Sequence, residues 1–128
     1  MGKRLSVLVV DDDPMIRGVL STLLGFEEVD IATANDGPTA LDAADRVDPD
    51  VVLLDLNLPG MSGLEVCRAL KERTGERRVV MVTGQATRQD ELAGLAAGAD
   101  AFLRKPFSPL HLLEVVRGGL NGKGNLLG

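Results

Sequence analysis

Four apolar residues run directly into one acid in the stretch Val51–Gly63, VVLLDLNLPGMSG. A run with no polar alternation reads as a strand buried on both faces, the pattern of a parallel sheet covered by helices on each side. A carboxylate at the end of such a strand is costly to bury alone, so it marks a place where something binds or reacts. In open parallel α/β sheets, ligands sit in the crevice beyond the carboxyl ends of the strands. Asp55 is therefore the candidate reactive group, and the rest of the chain is read as the walls of its pocket.

The surrounding chain repeats one pattern. Apolar runs alternate with amphipathic stretches five times, without internal repeats. Strands are expected at Leu5–Val10, Val29–Ala34, Val51–Asp55, Arg78–Val82 and Ala101–Arg104. The second alternates more than the others, as an edge strand does. The first helix is expected from Pro14 to about Leu24, with Asp13 as its N-cap and Ile16, Leu20 and Leu23 or Leu24 on its core face. The next spans Thr39–Arg46, stopped by Asp48-Pro49-Asp50. Ser62-x-x-Glu65 is a capping box for a helix from Gly63 to about Arg73, and Thr87-x-x-Asp90 resembles another for a helix to about Ala97. Ser108-Pro109 opens a last helix to about Gly118. Five β-α units imply an α/β fold: one doubly wound domain with a parallel sheet and helices on both faces. Residues 1–120 are expected to form it, and the glycine-rich 121–128 to be a flexible tail or the start of a linker.

Composition narrows the function. The chain has 128 residues, 45% of them hydrophobic, enough for one domain with a substantial core. Three Phe with no Trp or Tyr leave an aliphatic core and no stacking platform for single-stranded nucleic acid. A net charge of -5 disfavours nucleic-acid binding by this domain. The single Cys67 allows no internal disulfide. Acids at Asp11–Asp13 end the first apolar run too early for a signal segment or a membrane span, so a cytoplasmic location is expected.

The strand ends carry the chemistry. The first strand ends in Asp11-Asp12-Asp13, the third in Asp55, the fourth in Thr83, and Lys105 follows the fifth. Parallel strands bring these ends to one edge. Carboxylates crowded there repel unless a cation separates them. Mg2+ suits one or two carboxylates, waters and a phosphate oxygen. A lysine and a hydroxyl beside them could hold other phosphoryl oxygens, which points to Mg2+-dependent phosphate chemistry with a carboxylate nucleophile.

LVVDDDP at the first strand, LLDLNLPGMSG at the third, VTGQA at the fourth and FLRKPF after the fifth resemble the receiver domain of bacterial two-component response regulators. The resemblance runs from about Leu5 to Leu120. It implies a (βα)5 flavodoxin-like fold with strand order 2-1-3-4-5. It also implies that Asp55 is the phosphoacceptor, taking a phosphoryl group from a phosphohistidine of a sensor histidine kinase or a histidine phosphotransferase and losing it slowly. By the same resemblance Asp12 ligates Mg2+ (or Mn2+) directly, Asp11 acts mainly through water, and Asn57 offers its backbone carbonyl. Thr83 and Lys105 hold phosphoryl oxygens, and the peptide before Pro106 is cis. Phe102 stands at the switch aromatic, Gln85 and Asn57 tune phosphate loss, and helix 4, strand 5 and helix 5 present the output face to an unnamed partner. No conventional substrate turnover is implied. A phosphorylation-linked homodimer stays open, with Asp100 and Arg117 as candidates, while Ala101 departs from the usual acid.

Plainer readings stand beside these. Asp13 is mostly a helix cap, Phe102 is equally a core residue, His111 is a helix-surface residue, and Lys71–Arg78 is a solvated helix end and loop. Phosphatases of the haloacid-dehalogenase type also use Asp and Mg2+. They need a second Asp two residues after the first, where this chain has Asn57.

Overall fold

The computed structural model describes residues 5–25, 29–73, 76–84 and 86–117. Strands β1 (Leu5–Val10), β2 (Val29–Ala34), β3 (Val51–Asp55), β4 (Arg78–Thr83) and β5 (Ala101–Arg104) alternate with helices α1 (Pro14–Leu24), α2 (Gly37–Val47), α3 (Gly63–Arg73), α4 (Arg88–Ala96) and α5 (Pro109–Val116). The strands form one sheet in the order β2-β1-β3-β4-β5, and every pairing is parallel. This is the flavodoxin-like α/β architecture. The expected 121–128 tail, the helix end at Gly118 and Gln85 lie outside the described residues.

Period-2 alternation divides the core into two layers. Leu8, Val10, Val52, Leu54, Val79, Met81 and Phe102 face α2 and α3. Val7, Val9, Val51, Leu53, Val80, Val82 and Leu103 face α1 and α5, where Leu20, Leu24, Leu112 and Val115 meet them. All five residues of the central strand β3 are buried. Edge strand β2 leaves Asp30 and Thr33 exposed, as its alternation indicated.

Side-chain caps fix where the helices begin. Asp13 Oδ1 accepts from Met15 N at 2.9 Å, with Pro14 in the first turn of α1. Asp36 Oδ1 accepts from Thr39 N at 2.8 Å. That cap lets Gly37 and Pro38 join the first turn, so α2 begins two residues before the expected Thr39 and ends at Val47. Both capping boxes are reciprocal: Ser62 with Glu65, and Thr87 with Asp90. β4 runs one residue further than expected, to Thr83, because Lys105 N bonds the Thr83 carbonyl.

Within the Lys71–Arg78 stretch, Glu72, Arg73 and Glu76 are exposed, as expected of a solvated helix end and loop, but Arg77 and Arg78 depart from that reading. Arg77 is 4% exposed; its Nε donates to Pro49 O at 3.1 Å and its Nη2 to Asp48 Oδ1 at 2.9 Å. Arg78 Nη1 donates to Val115 O at 2.8 Å. Arg77 thus satisfies a carbonyl in the loop after α2, and Arg78 one in the last turn of α5, which helix geometry leaves without an intrahelical partner. Asp100 is also engaged within the chain, its Oδ2 accepting from Val79 N and from Lys71 Nζ.

Two glycines of this framework answer the same substitution in opposite ways. Nothing lies within 4 Å of a Cβ on Gly18, in the middle of α1, whereas a Cβ on Gly63 would sit 2.4 Å from the Asp55 carbonyl oxygen. Gly18→Ala is expected to stabilise the fold by about 0.5–1 kcal/mol through helix propensity. Gly63→Ala is expected to lose about 1–3 kcal/mol through overpacking. Urea unfolding of the two variants against wild type checks both signs.

Candidate functional site

The strand register brings the polar strand ends together. Val10 pairs with Leu54 and Asp55 with Val82, so β1, β3 and β4 finish at one level, and Thr83 pairs with Arg104 just before Lys105. Asp11, Asp12, Asp13, Asp55, Asn57, Thr83, Gly84 and Lys105 line a cleft of about 410 Å³ there.

Within the cleft, Asp55 is 8% exposed, Asp11 1% and Thr83 1%, while Asp12 is exposed. Asp55 Oδ1 accepts from Asn57 N at 3.1 Å, which folds the loop after β3 back over the carboxylate. Asp11 Oδ1 accepts from Asp13 N at 2.9 Å, and Arg17 Nη1 donates to the Asp11 carbonyl at 2.8 Å. Lys105 Nζ lies 3.1 Å from Asp11 Oδ2 and 4.0 Å from Asp55 Oδ2. The Lys105–Pro106 peptide is cis.

Charge dominates this arrangement. One carboxylate oxygen from each of Asp11, Asp12 and Asp55 lies within 4.8 Å of the others. Lys105 meets two of these carboxylates and leaves the group net negative. Oxygen-only donors, one of them exposed, clustered in an open cleft, match the needs of a hard divalent cation that keeps part of its water shell. The residues therefore fit Mg2+. Burial pushes the Asp55 carboxyl above its ordinary value; the Asn57 N–H draws it down, and Asp11 and Asp12 push it up against Lys105.

Most of the expected site residues meet here: Asp11, Asp12, Asp55, Asn57, Thr83 and Lys105 line the cleft together. Asp13 is at its rim, but its carboxylate caps α1. Phe102 does not line the cleft; it is 4% exposed in the core layer beneath α4. Sequence reading missed Arg17, whose only signal was its place one turn after Asp13 on the polar side of α1.

The raised Asp55 pKa has a definite stability consequence. The native state holds this proton to higher pH than the unfolded chain does, so metal-free stability falls as pH rises from the ordinary carboxylate value, about 4, through the raised one. In EDTA, Asp55→Asn is expected to melt above wild type at pH 7, with the gap closing as pH drops below about 4. Adding Mg2+ is expected to raise the melting temperature of wild type more than that of the variant. Thermal melts across pH, with and without the metal, check both.

Comparison with known proteins agrees with the geometry. The sequence model of the response regulator receiver domain matches residues 7–117. The DNA-binding response regulator MtrA of Mycolicibacterium smegmatis is 44% identical over 117 residues, 91% of this chain and 51% of that protein. The chain thus spans about half the length of the curated relatives it matches. A CheY-like receiver domain protein from Methanospirillum hungatei superposes with a TM-score of 0.88 at 30% identity, covering 94% of this chain and 96% of that one. The BeF3-activated DrrB receiver domain superposes with a TM-score of 0.84 at 36% identity, covering 92% and 98%; DrrB is an OmpR/PhoB homologue from Thermotoga maritima. With the fold, the acidic cluster and the family match in agreement, the chain belongs to the response regulator receiver domain family of two-component signalling.

Proposed function

We propose that this domain is a phosphorylation-operated switch in which Asp55 accepts a phosphoryl group from a phosphohistidine on a sensor histidine kinase or histidine phosphotransferase. The observation that carries this reading is the convergence of Asp11, Asp12, Asp55 and Lys105 on one cleft at the sheet edge. An Asp55 oxygen attacks phosphorus; the P–O bond forms as the P–N bond breaks, and the leaving imidazole keeps the electron pair and takes up a proton. Asp12, Asp55 and the Asn57 carbonyl would hold Mg2+ or Mn2+, with Asp11 acting through water. The bound cation would neutralise charge on the carboxylates and on the transferred phosphoryl oxygens.

Lys105, already beside Asp11 and Asp55, is placed to turn toward a phosphoryl oxygen. The Thr83 hydroxyl would meet a second one. The added charge on Asp55 then favours the arrangement in which these two groups have closed on it, and α4, β5 and α5 repack to present a changed face. Gln85 and Asn57 would set how fast water removes the group. No helix of the described residues is long and apolar enough to cross a membrane, and a cytoplasmic site of action suits a domain that meets a kinase. MtrA is named as DNA-binding; a role in transcription for this chain would come from an output domain, with the net charge of -5 keeping this one off nucleic acid.

Incubation with acetyl phosphate and Mg2+, read by intact mass, tests the reading. Wild type is expected to gain one phosphoryl group, EDTA to prevent it, and Asp55→Asn to gain none. Thr83→Ala or Lys105→Ala is expected to slow labelling by about 10²-fold, the usual effect of losing one charge-stabilising donor. The proposal fails if wild type stays unlabelled or Asp55→Asn is labelled equally.

A further inference from the structure

Asp11 is held at each of its polar groups. Its N–H donates to Ala34 O at 3.1 Å, its Oδ1 accepts from Asp13 N at 2.9 Å, and its Oδ2 accepts from Lys105 Nζ at 3.1 Å. Its carbonyl accepts from Arg17 Nη1 at 2.8 Å. Arg17 lies one turn into α1, where its own N–H donates to Asp13 O at 3.0 Å. The guanidinium folds back over the loop that leads into the helix. Backbone and side chain of one residue thus close the loop 11–13 at both ends.

Asp12 has nothing comparable. It is exposed, and its carboxylate has no hydrogen-bond or ion-pair partner among the described residues. Yet one of its oxygens lies within 4.8 Å of oxygens from Asp11 and Asp55, although the three charges repel. The direction of this side chain is therefore set by its own backbone. The Asp11–Asp12 peptide is trans. Such a unit is planar, with its C=O and N–H pointing opposite ways. Fixing the Asp11 carbonyl fixes the Asp12 N–H and the Cα from which the carboxylate projects. Arg17 fills no core space: it shares a notch of about 210 Å³ with Thr33, Asn35 and Thr39, all exposed.

We propose that Arg17 is a positioning residue: by holding the Asp11 carbonyl it sets the plane of the Asp11–Asp12 peptide and so aims the Asp12 carboxylate at the cation site. The cation rests on the Mg2+ reading above; the setting of the peptide does not. The charge of Arg17 works the other way. A guanidinium near three acids reduces the attraction they exert on a cation. A residue felt only through its charge would weaken Mg2+ binding by its presence, whereas a positioning residue strengthens it. The sign of the effect separates the two.

Calorimetric titration of Mg2+ into wild type, Arg17→Met and Arg17→Lys tests this. Methionine keeps an unbranched apolar stem without donor or charge, while lysine keeps both donor and charge. Arg17→Met is expected to bind Mg2+ about tenfold more weakly than wild type, the usual loss when a residue that orients a metal ligand is removed. Arg17→Lys is expected to recover part of that loss. In EDTA, amide relaxation dispersion is expected to show Asp12 exchanging between conformations in Arg17→Met and not in wild type. Binding by Arg17→Met as tight as wild type, or tighter, overturns the proposal, and so does a lysine variant no better than the methionine one. An Asp12 amide as quiet in Arg17→Met as in wild type overturns the setting of the peptide. Should wild type bind no Mg2+, the metal reading falls, while the Asp12 relaxation still decides whether Arg17 holds the peptide.

Discussion

Repulsion among three carboxylates is the constraint around which this domain is arranged. Asp11, Asp12 and Asp55 hold oxygens within 4.8 Å of one another, and Lys105 offsets only part of the charge. Left to themselves such groups would separate into water. They stay because β1 and β3 are adjacent, in register, and buried along almost their whole length. The aliphatic core holds the acids where their own electrostatics oppose it, and that tension makes the cleft receptive to cations.

The loop backbones reinforce the arrangement. The Asn57 N–H turns onto Asp55, the Asp13 N–H onto Asp11, and Arg17 holds the carbonyl of Asp11. Each contact joins groups close in sequence, and two of the three are backbone N–H groups donating to a carboxylate. Lys105 comes from further away: it reaches the cluster from the end of β5 and meets Asp11 after β1, with β3 and β4 between them. Preorganised dipoles near a site of developing charge lower the reorganisation that reaction demands.

Much of this was legible in the sequence because it is locally encoded. Asp13-Pro14, Ser62-x-x-Glu65, Thr87-x-x-Asp90 and Ser108-Pro109 each declare a helix start within four residues, and each cap is present. The unbroken VVLL run marked the central strand, and the acids at the strand ends marked the cleft. What stayed hidden depends on contacts between distant segments. Nothing local to Arg77 foretells that its guanidinium will be buried against the end of α2. Nothing local to Asp100, a candidate for a dimer face, foretells that its carboxylate accepts from Val79 N and Lys71 Nζ. Gly94 looks like an unfavourable residue in a helix until the Phe102 ring is placed beneath it.

At the opposite edge of the sheet, Arg77 and Arg78 tie together the ends of α2, β4 and α5. Mechanically that end is an abutment: Arg77 Nε and Nη2 and Arg78 Nη1 bind acceptors on neighbouring segments. The sheet is thus tied by cross-links at the end away from the acids, so the cost of crowding charge at the cleft is borne by a frame braced at its far end.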